Sequence, residues 1–354
     1  MAKLNSVFDI TVVYDAKLAH SAADVNYLET APFAKNSAYF NCNATYQYFI
    51  EHCKKLGLRA AFTTTNDVTA TGQFSSVWTH TLKWERCKQT VSAKVIFDKF
   101  SNLQPRNQAA YYHITTAGTP PPLFHNQAMR LLFDNKLATF LMFPHYSIPT
   151  VKVTARTKTA LLNASKILQT LCETHPYHED FNTTMILKDQ FGIGGNNIFK
   201  ITNNDFSAVP INTTAEFILQ PFIQASGFKI AHHAGNTDLR VIIFNNTVVQ
   251  SYLRIAKAGE FRANAQQGGR VVYLALNDIP ADVLKMIAQI KKRLPNKTTL
   301  YTLDFIKSNH GHLYFIEGNN SPGLNWFDAE DEIRAKELIH LIVRNLQQLI
   351  FKPH

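Results

Sequence analysis

Asp304, Glu317 and Asn319 are the side chains whose types and spacing most readily support chemistry in this chain. Leu300–Ile306 and His312–Ile316 read as two adjacent strands. The first projects Asp304 outward, and the second runs into Glu317-Gly318-Asn319-Asn320-Ser321-Pro322-Gly323-Leu324. Residues i and i+2 of an extended chain share a face, so Glu317 and Asn319 project together, and a neighbouring strand can bring Asp304 to the same place. Two carboxylates and an amide oxygen, with no thiol or imidazole among them, suit a hard divalent cation such as Mg2+. Magnesium commonly keeps waters and takes further ligands from substrate phosphates, which points to nucleotide chemistry. Alone, the same residues also fit polar strand ends followed by a Pro-Gly turn.

Further stretches bear on that choice. Lys188-Asp189-Gln190-Phe191-Gly192-Ile193-Gly194-Gly195-Asn196-Asn197 lies between two predicted strands. A glycine loop in a hairpin lets backbone N–H groups approach a phosphate, and Lys188 can add a point charge. It is not a P-loop, since GxxxxGK[ST] is absent and no helix follows; a plain glycine hairpin would look the same. Phe217–Ile223, which holds Gln220, Pro221 and Phe222, can offer backbone groups to an adenine edge, or be an ordinary buried strand. Asp238-Leu239-Arg240 opens the next hairpin, whose second strand carries Arg254. Arg254 and Arg262 are candidates to clamp a phosphoryl group as negative charge grows, with Asn264 as an orienting amide or further metal ligand. Gly268-Gly269 beside them suggests a close-approach loop rather than a plain surface hairpin.

The elements that must position these residues follow from hydrophobic periodicity. Phe8–Tyr14, Leu58–Thr65 and Val91–Phe97 read as strands around a helix over Ala44–Leu56, with Tyr111–Thr115 as one more strand. This βαβ rhythm predicts a parallel sheet, ended by Thr119-Pro120-Pro121-Pro122. Asn126–Phe143 has one continuous helical spacing. A helix over Thr157–Leu171 and short strands up to Gln220 come next. Leu239–Phe244, Thr247–Ile255 and Arg270–Leu276 then form a β-rich region, with Asn245-Asn246 as a tight turn. Pro280–Leu294 and Glu330–Phe351 read as amphipathic helices. The expected organisation is residues 1–122, 123–222 and 223–354: a parallel-sheet domain, a central lobe with the glycine loop and a C-terminal lobe with the metal residues.

Composition narrows the class. At 354 residues, 45% hydrophobic and 18% charged, the chain can build more than one core and is not disordered. Its net charge of +10 suits small anions as well as nucleic acid, but the basic residues are dispersed, so no nucleic-acid partner is expected. Cys42, Cys53, Cys87 and Cys172 show no CxxC spacing, which implies neither a zinc site nor a disulfide framework. No leader peptide is expected at Met1–Val13 and no span of about 20 apolar residues occurs, so a cytoplasmic location is expected. A homo-oligomer is compatible with these features.

In order and type, these motifs resemble the ATP-grasp superfamily, and within it the RimK-type glutamate ligases. The resemblance runs from about Asn126 to the C-terminus. It is carried by Arg254-Ile255-Ala256-Lys257-Ala258-Gly259-Glu260-Phe261-Arg262-Ala263-Asn264 with Gly268-Gly269, and by Glu317 to Leu324. It implies an α/β fold: an ATP-grasp fold of α+β lobes behind an N-terminal parallel-sheet domain. It implies ATP and one or two Mg2+ ions, with Mn2+ as an alternative. Lys136 and Lys188 would hold phosphates beneath Gly192, Gly194 and Gly195. Gln220, Pro221, Phe222 and Ile223 would hold adenine, and Asp238 would lie near the ribose. Asp304, Glu317 and Asn319 would bind metal, and Arg254, Arg262 and Asn264 would face the γ-phosphate and an acyl intermediate. The implied activity is an ATP-dependent carboxylate–amine ligase that joins a carboxylate to an amino acid or peptide amine through an acyl-phosphate. The alternatives are an ATP-grasp kinase or a non-catalytic nucleotide-binding scaffold. Some positions depart from the family pattern. Pro221 stands where an acidic residue is common, and Gln266-Gln267 where a basic one is often found. The Ile223–Asp238 segment, with His232-His233, is longer than in the family's short members, and Asp304 to Glu317 is one residue longer, which predicts a wider turn.

Overall fold

Three runs of buried β-branched and aromatic residues, Val7–Tyr14 (β1), Ala60–Thr64 (β2) and Ser92–Lys99 (β5), pair in parallel with β1 in the middle. They belong to a computed structural model that describes residues 7–351 except 156, 193–194, 196, 208, 210–214, 229–235, 258, 261–262, 264–268 and 296–298. Two compact units emerge: 1–126 together with 321–354, and 127–320.

In the first unit, Cys42–Lys55 (α1) turns Tyr46, Phe49, Ile50 and Cys53 inward, on the spacing expected. The sheet order is β4-β3-β2-β1-β5, where Val77–His80 (β3) and Trp84–Cys87 (β4) add an antiparallel hairpin. The sheet is therefore mixed, not wholly parallel. Tyr111–Thr115 is not a strand but the end of helix Gln108–Thr115 (α2). Ala110 and Ile114, one helical turn apart, are its buried residues, and this contact outweighs the β-propensity of the tyrosines, Ile114 and Thr115. The closing helix Ala329–Phe351 (α7) packs on α1 and β5.

The second unit opens with two helices, not one: Gln127–Phe133 (α3) and Lys136–Met142 (α4). Asn135 causes the break, because its Oδ1 accepts the N–H groups of Leu137 and Ala138, both at 3.1 Å, and so caps a new helix. A four-stranded antiparallel sheet follows in the order β6-β9-β7-β8. Its strands are Val151–Val153 (β6), Met185–Asp189 (β7), Ile198–Ile201 (β8) and Phe217–Pro221 (β9). Lys158–Glu173 (α5), capped by Thr157, covers one face through Leu161, Ala164 and Leu168.

The larger sheet, β12-β11-β10-β13-β14, is antiparallel throughout. It comprises Thr237–Phe244 (β10), Thr247–Ile255 (β11), Arg270–Leu274 (β12), Leu300–Lys307 (β13) and Leu313–Asn319 (β14). Asn245 and Asn246 turn β10 into β11 with φ of 46° and 65°, as a two-residue hairpin with both central residues left-handed requires. Leu239, Val241, Leu253, Leu303, Phe305 and Phe315 face a core closed by α3 and by Val283, Ile287 and Ile290 of Ala281–Lys291 (α6). Strand alternation then commits Asp238, Arg240, Arg254 and Asp304 to the opposite face. No described helix is long and apolar enough to cross a membrane.

Candidate active site

The polar face of the larger sheet carries a charge ladder. Asp304 lies directly across from Arg240, and Asp238 across from Arg254. Arg240 grips Asp304 in a bidentate fork, Nε to Oδ1 at 2.7 Å and Nη2 to Oδ2 at 2.6 Å. Arg254 bridges the two acids, donating Nε to Asp238 Oδ1 at 2.5 Å and Nη2 to Asp304 Oδ2 at 2.6 Å. Asp304 therefore does not project outward into solvent: it is 1% exposed. Burial alone would raise its carboxyl, but the Arg240 and Arg254 guanidinium groups hold it below its ordinary value. Asp238 moves the other way, because burial outweighs Arg254 and the Asp304 charge adds to the rise.

Glu317 reaches the same face through an irregularity. Phe305 pairs with Phe315 on the core side, yet Asp304 pairs with Glu317 on the polar side, so Ile316 is the extra residue of a bulge. Without it, Glu317 would share the face of Phe315 and point into the core. The additional residue in the Asp304–Glu317 spacing thus sits within the strand, where a wider turn was expected. Thr302 pairs with Asn319, which puts Asn319 beside Glu317, while Gly318 faces the ring of Phe133.

This oxygen set suits a hard divalent cation. Asp304 Oδ1 accepts only one of its carboxylate's three ladder bonds, so a lone pair is left on it. The Glu317 carboxylate makes no hydrogen bond or ion pair among the described residues. No three His, Cys, Asp or Glu side chains form a cage among the described residues. A pair of carboxylates with an amide, completed by phosphate oxygens and water, is a magnesium arrangement that needs no cage.

Cations come from the smaller sheet and from α4. Met185 and Leu187 enter the core under α5, so Lys188 points to the other face. There it interacts electrostatically with Glu317, Lys136 and Asp238. Burial, with the Lys136 charge added, lowers its ammonium to about 8 against the pull of Glu317 and Asp238. Lys136 opens α4; its Nζ donates to the Gly192 carbonyl and its N–H to the Gln190 carbonyl. Gln190 Nε2 donates to the Asn135 cap at 3.0 Å, so helix start and glycine loop are stitched together. Asp189 shapes the loop by accepting from the N–H of Phe191 at 2.9 Å and from Asn197 Nδ2 at 3.2 Å. Gly195 has φ +77°, a conformation that glycine adopts freely.

Gln220 is buried on β9, with Nε2 on Thr150 Oγ1 at 2.8 Å. Pro221 pairs with Met185, and the Phe222 N–H donates to Thr184 O. Among the described residues nothing bonds the Ile223 N–H or C=O, although its side chain is packed with Ile148 and Tyr314. Gly194, Arg262 and Asn264 lie outside the described residues, as do His232-His233 and Gln266-Gln267. Gly269 is hemmed in: an added Cβ would lie 2.7 Å from the Ala263 carbonyl. Sequence reasoning passed over Arg240 and Asn135. The i, i+2 spacing of Arg240 from Asp238 and the Asp-Asn pair before Lys136 were the available signals.

A model of the RimK-like ATP-grasp domain matches residues 147–342. The "Probable alpha-L-glutamate ligase 2" of Hahella chejuensis is 28% identical over 174 residues, 48% of this chain and 53% of that protein. The "Probable alpha-L-glutamate ligase" of Legionella pneumophila is 32% identical over 136 residues, 38% of this chain and 40% of that protein. The chain thus spans about half, or less, of the length of these curated relatives. Among solved structures, D-alanyl-alanine synthetase A from Vibrio cholerae superposes with a TM-score of 0.62 at 11% identity, over 99% of this chain and 100% of that one. The RimK domain protein ATP-grasp from Sphaerobacter thermophilus gives 0.57 at 11% identity, over 95% and 98%. At such identities the likeness is one of fold.

Proposed function

The chain belongs to the RimK-like ATP-grasp family, and from that premise we propose that it is an ATP-dependent ligase that joins a carboxylate to an amine. The observation that carries this reading is that Lys188, on the polar face of β7 beside Lys136, interacts electrostatically with Glu317 and Asp238. The lysines come from β7 and α4 and the acids from the larger sheet, and Lys188 is where the two sets act on one another. In this reading Lys136, Lys188 and the loop of Gly192, Gly194 and Gly195 take the phosphates. The segment Gln220 to Ile223 takes adenine, with the Ile223 backbone offering its edge, and Asp238 lies toward the ribose. Asp304, Glu317 and Asn319 hold Mg2+, which when bound neutralises and aligns the phosphate oxygens. Arg240 and Arg254 keep Asp304 ionised and fixed in direction. Arg262 and Asn264 face the transferred phosphoryl group.

The chemistry is positioning and electrostatics, with no covalent nucleophile on the protein. The substrate carboxylate attacks the γ-phosphorus and ADP leaves. The amine then attacks the acyl carbon, the acyl C–O bond breaks with its electron pair leaving on phosphate, and the amine's proton passes to that phosphate or to solvent. The names of the curated relatives make an α-amino acid such as glutamate the first substrate to try. The test is ADP and phosphate release with Mg2+ and ATP against pools of amino acids and short peptides, with products read by mass spectrometry. The expected product is heavier by one condensed unit, needs ATP, and is absent with Glu317→Ala at an unchanged melting temperature. A phosphorylated product formed without an amine would replace the ligase with a kinase.

A further inference from the structure

Between α5 and β7 the chain makes one tight helical turn, His178–Asp180, whose last side chain is 0% exposed. Its carboxylate is enclosed by donors from one distant stretch, the turn that leads into β14 and the start of that strand. His310 Nδ1 donates to Oδ1 at 2.7 Å, while His312 Nδ1 at 3.0 Å and the Tyr314 hydroxyl at 2.6 Å donate to Oδ2. Burial would raise this carboxyl, but Tyr314, His310, Ser308 and His312 hold it below its ordinary value. Tyr177 stacks on His312 with ring centroids 3.9 Å apart, and Tyr314 packs with Ile148, Ile223, Phe181 and Ile306.

Both partners lead directly to the candidate active site. Asp180 stands just before β7, whose far end is Lys188 and the glycine loop. His312 and Tyr314 stand where β14 begins, and its far end is Glu317 and Asn319. The same turn is also tied to the segment after β9: Asn309 N–H donates to Gln224 O at 3.2 Å, and Ser226 Oγ donates to Asn309 Oδ1 at 2.5 Å. A buried carboxylate satisfied by hydrogen bonds contributes little stability beyond what apolar packing would give, and the best-attested use of such a group is to fix a register.

We propose that Asp180 is a positioning residue that locks β14 to the lobe of β7, so that Glu317 and Asn319 stand at a set distance from Lys188. This rests on the ligase reading above. Only a ligand that engages both strands at once, the metal-bound nucleoside triphosphate, requires that lock. A nucleoside diphosphate without metal does not.

The experiment is calorimetric titration of the full chain, Tyr314→Phe and Asp180→Asn, each with ADP in EDTA and with Mg2+ plus a non-hydrolysable ATP analogue. Tyr314→Phe keeps the ring in its apolar cluster and removes one bond to a charged acceptor, and circular dichroism verifies its fold. The expected result is a loss of affinity for the metal-bound analogue roughly tenfold greater than any loss for ADP. Asp180→Asn should show the same split, more strongly. Parallel weakening of both ligands, or no change in either, overturns the proposal. If the unaltered chain binds neither ligand, the ligase reading fails, and the proposal with it.

Discussion

Lys188 is the residue whose protonation the fold alters in the range where the protein would work. Burial brings its ammonium down to about 8, so the charge that the proposed role requires toward a phosphate is lost as pH rises through that value. The sign is fixed: a lysine lowered by burial is cationic below the shifted value and neutral above it. ADP affinity should therefore fall above neutrality, with an inflection near that value. Lys188→Arg should flatten the profile, since a guanidinium stays charged. Lys188→Met should be weak across the whole series. A titration series spanning that pH tests this, and a wild-type profile without an inflection would refute it. Asp304 could be read from sequence as an acid near a metal, but its state could not. Its direction below the ordinary value depends on Arg240 directly across the sheet and on Arg254 one strand further away. Those neighbours are set by strand register, which no local spacing encodes.

At the scale of elements, β14 shows how far periodicity carries and where it stops. Alternation correctly put Glu317 and Asn319 on one face, because both follow the bulge. It could not supply the bulge at Ile316, which is defined only against the partner strand β13. The β3–β4 hairpin was missed because Glu85 and Arg86 break any apolar alternation at this sheet edge. The α3–α4 break was missed because apolar spacing continues through Asn135, although its cap restarts the helix and leaves Leu141 66% exposed. Gly318 shows what this strand tolerates. A Cβ there would lie about as close as 2.5 Å to Phe133 Cγ, inside the ring of α3. Gly318→Ala should destabilise the chain by about 1–3 kcal/mol and displace the two flanking residues proposed as metal ligands. Adding Phe133→Leu should recover most of that loss, because the two sites share one space. Urea unfolding of the singles and the double checks this, and strictly additive losses would show that the ring is not the obstacle.

At the scale of the molecule, the residues proposed to bind nucleotide and metal, where described, all lie within 127–320, while the closing helix belongs to the other unit. The family match runs through both, from residue 147 to residue 342, so sequence relationship and structural unit do not share a boundary. A net charge of +10 favours encounter with an anionic nucleotide for the chain as a whole, but the charge does not position one. In the proposed reading positioning belongs to the second unit, and this can be separated from stability. Leu346 is 0% exposed on α7, beside Ile339, Ile342 and Val343 in a helix face with no polar substitute. Leu346→Ala should leave a cavity and cost about 2–5 kcal/mol in the first unit. At a temperature where the variant is still folded, its ADP affinity should equal that of the parent chain. Unfolding curves together with ADP titration measure both quantities. A stability loss that carries nucleotide affinity down with it in the folded state would mean that the first unit helps build the nucleotide site, and would assign α7 a part in it.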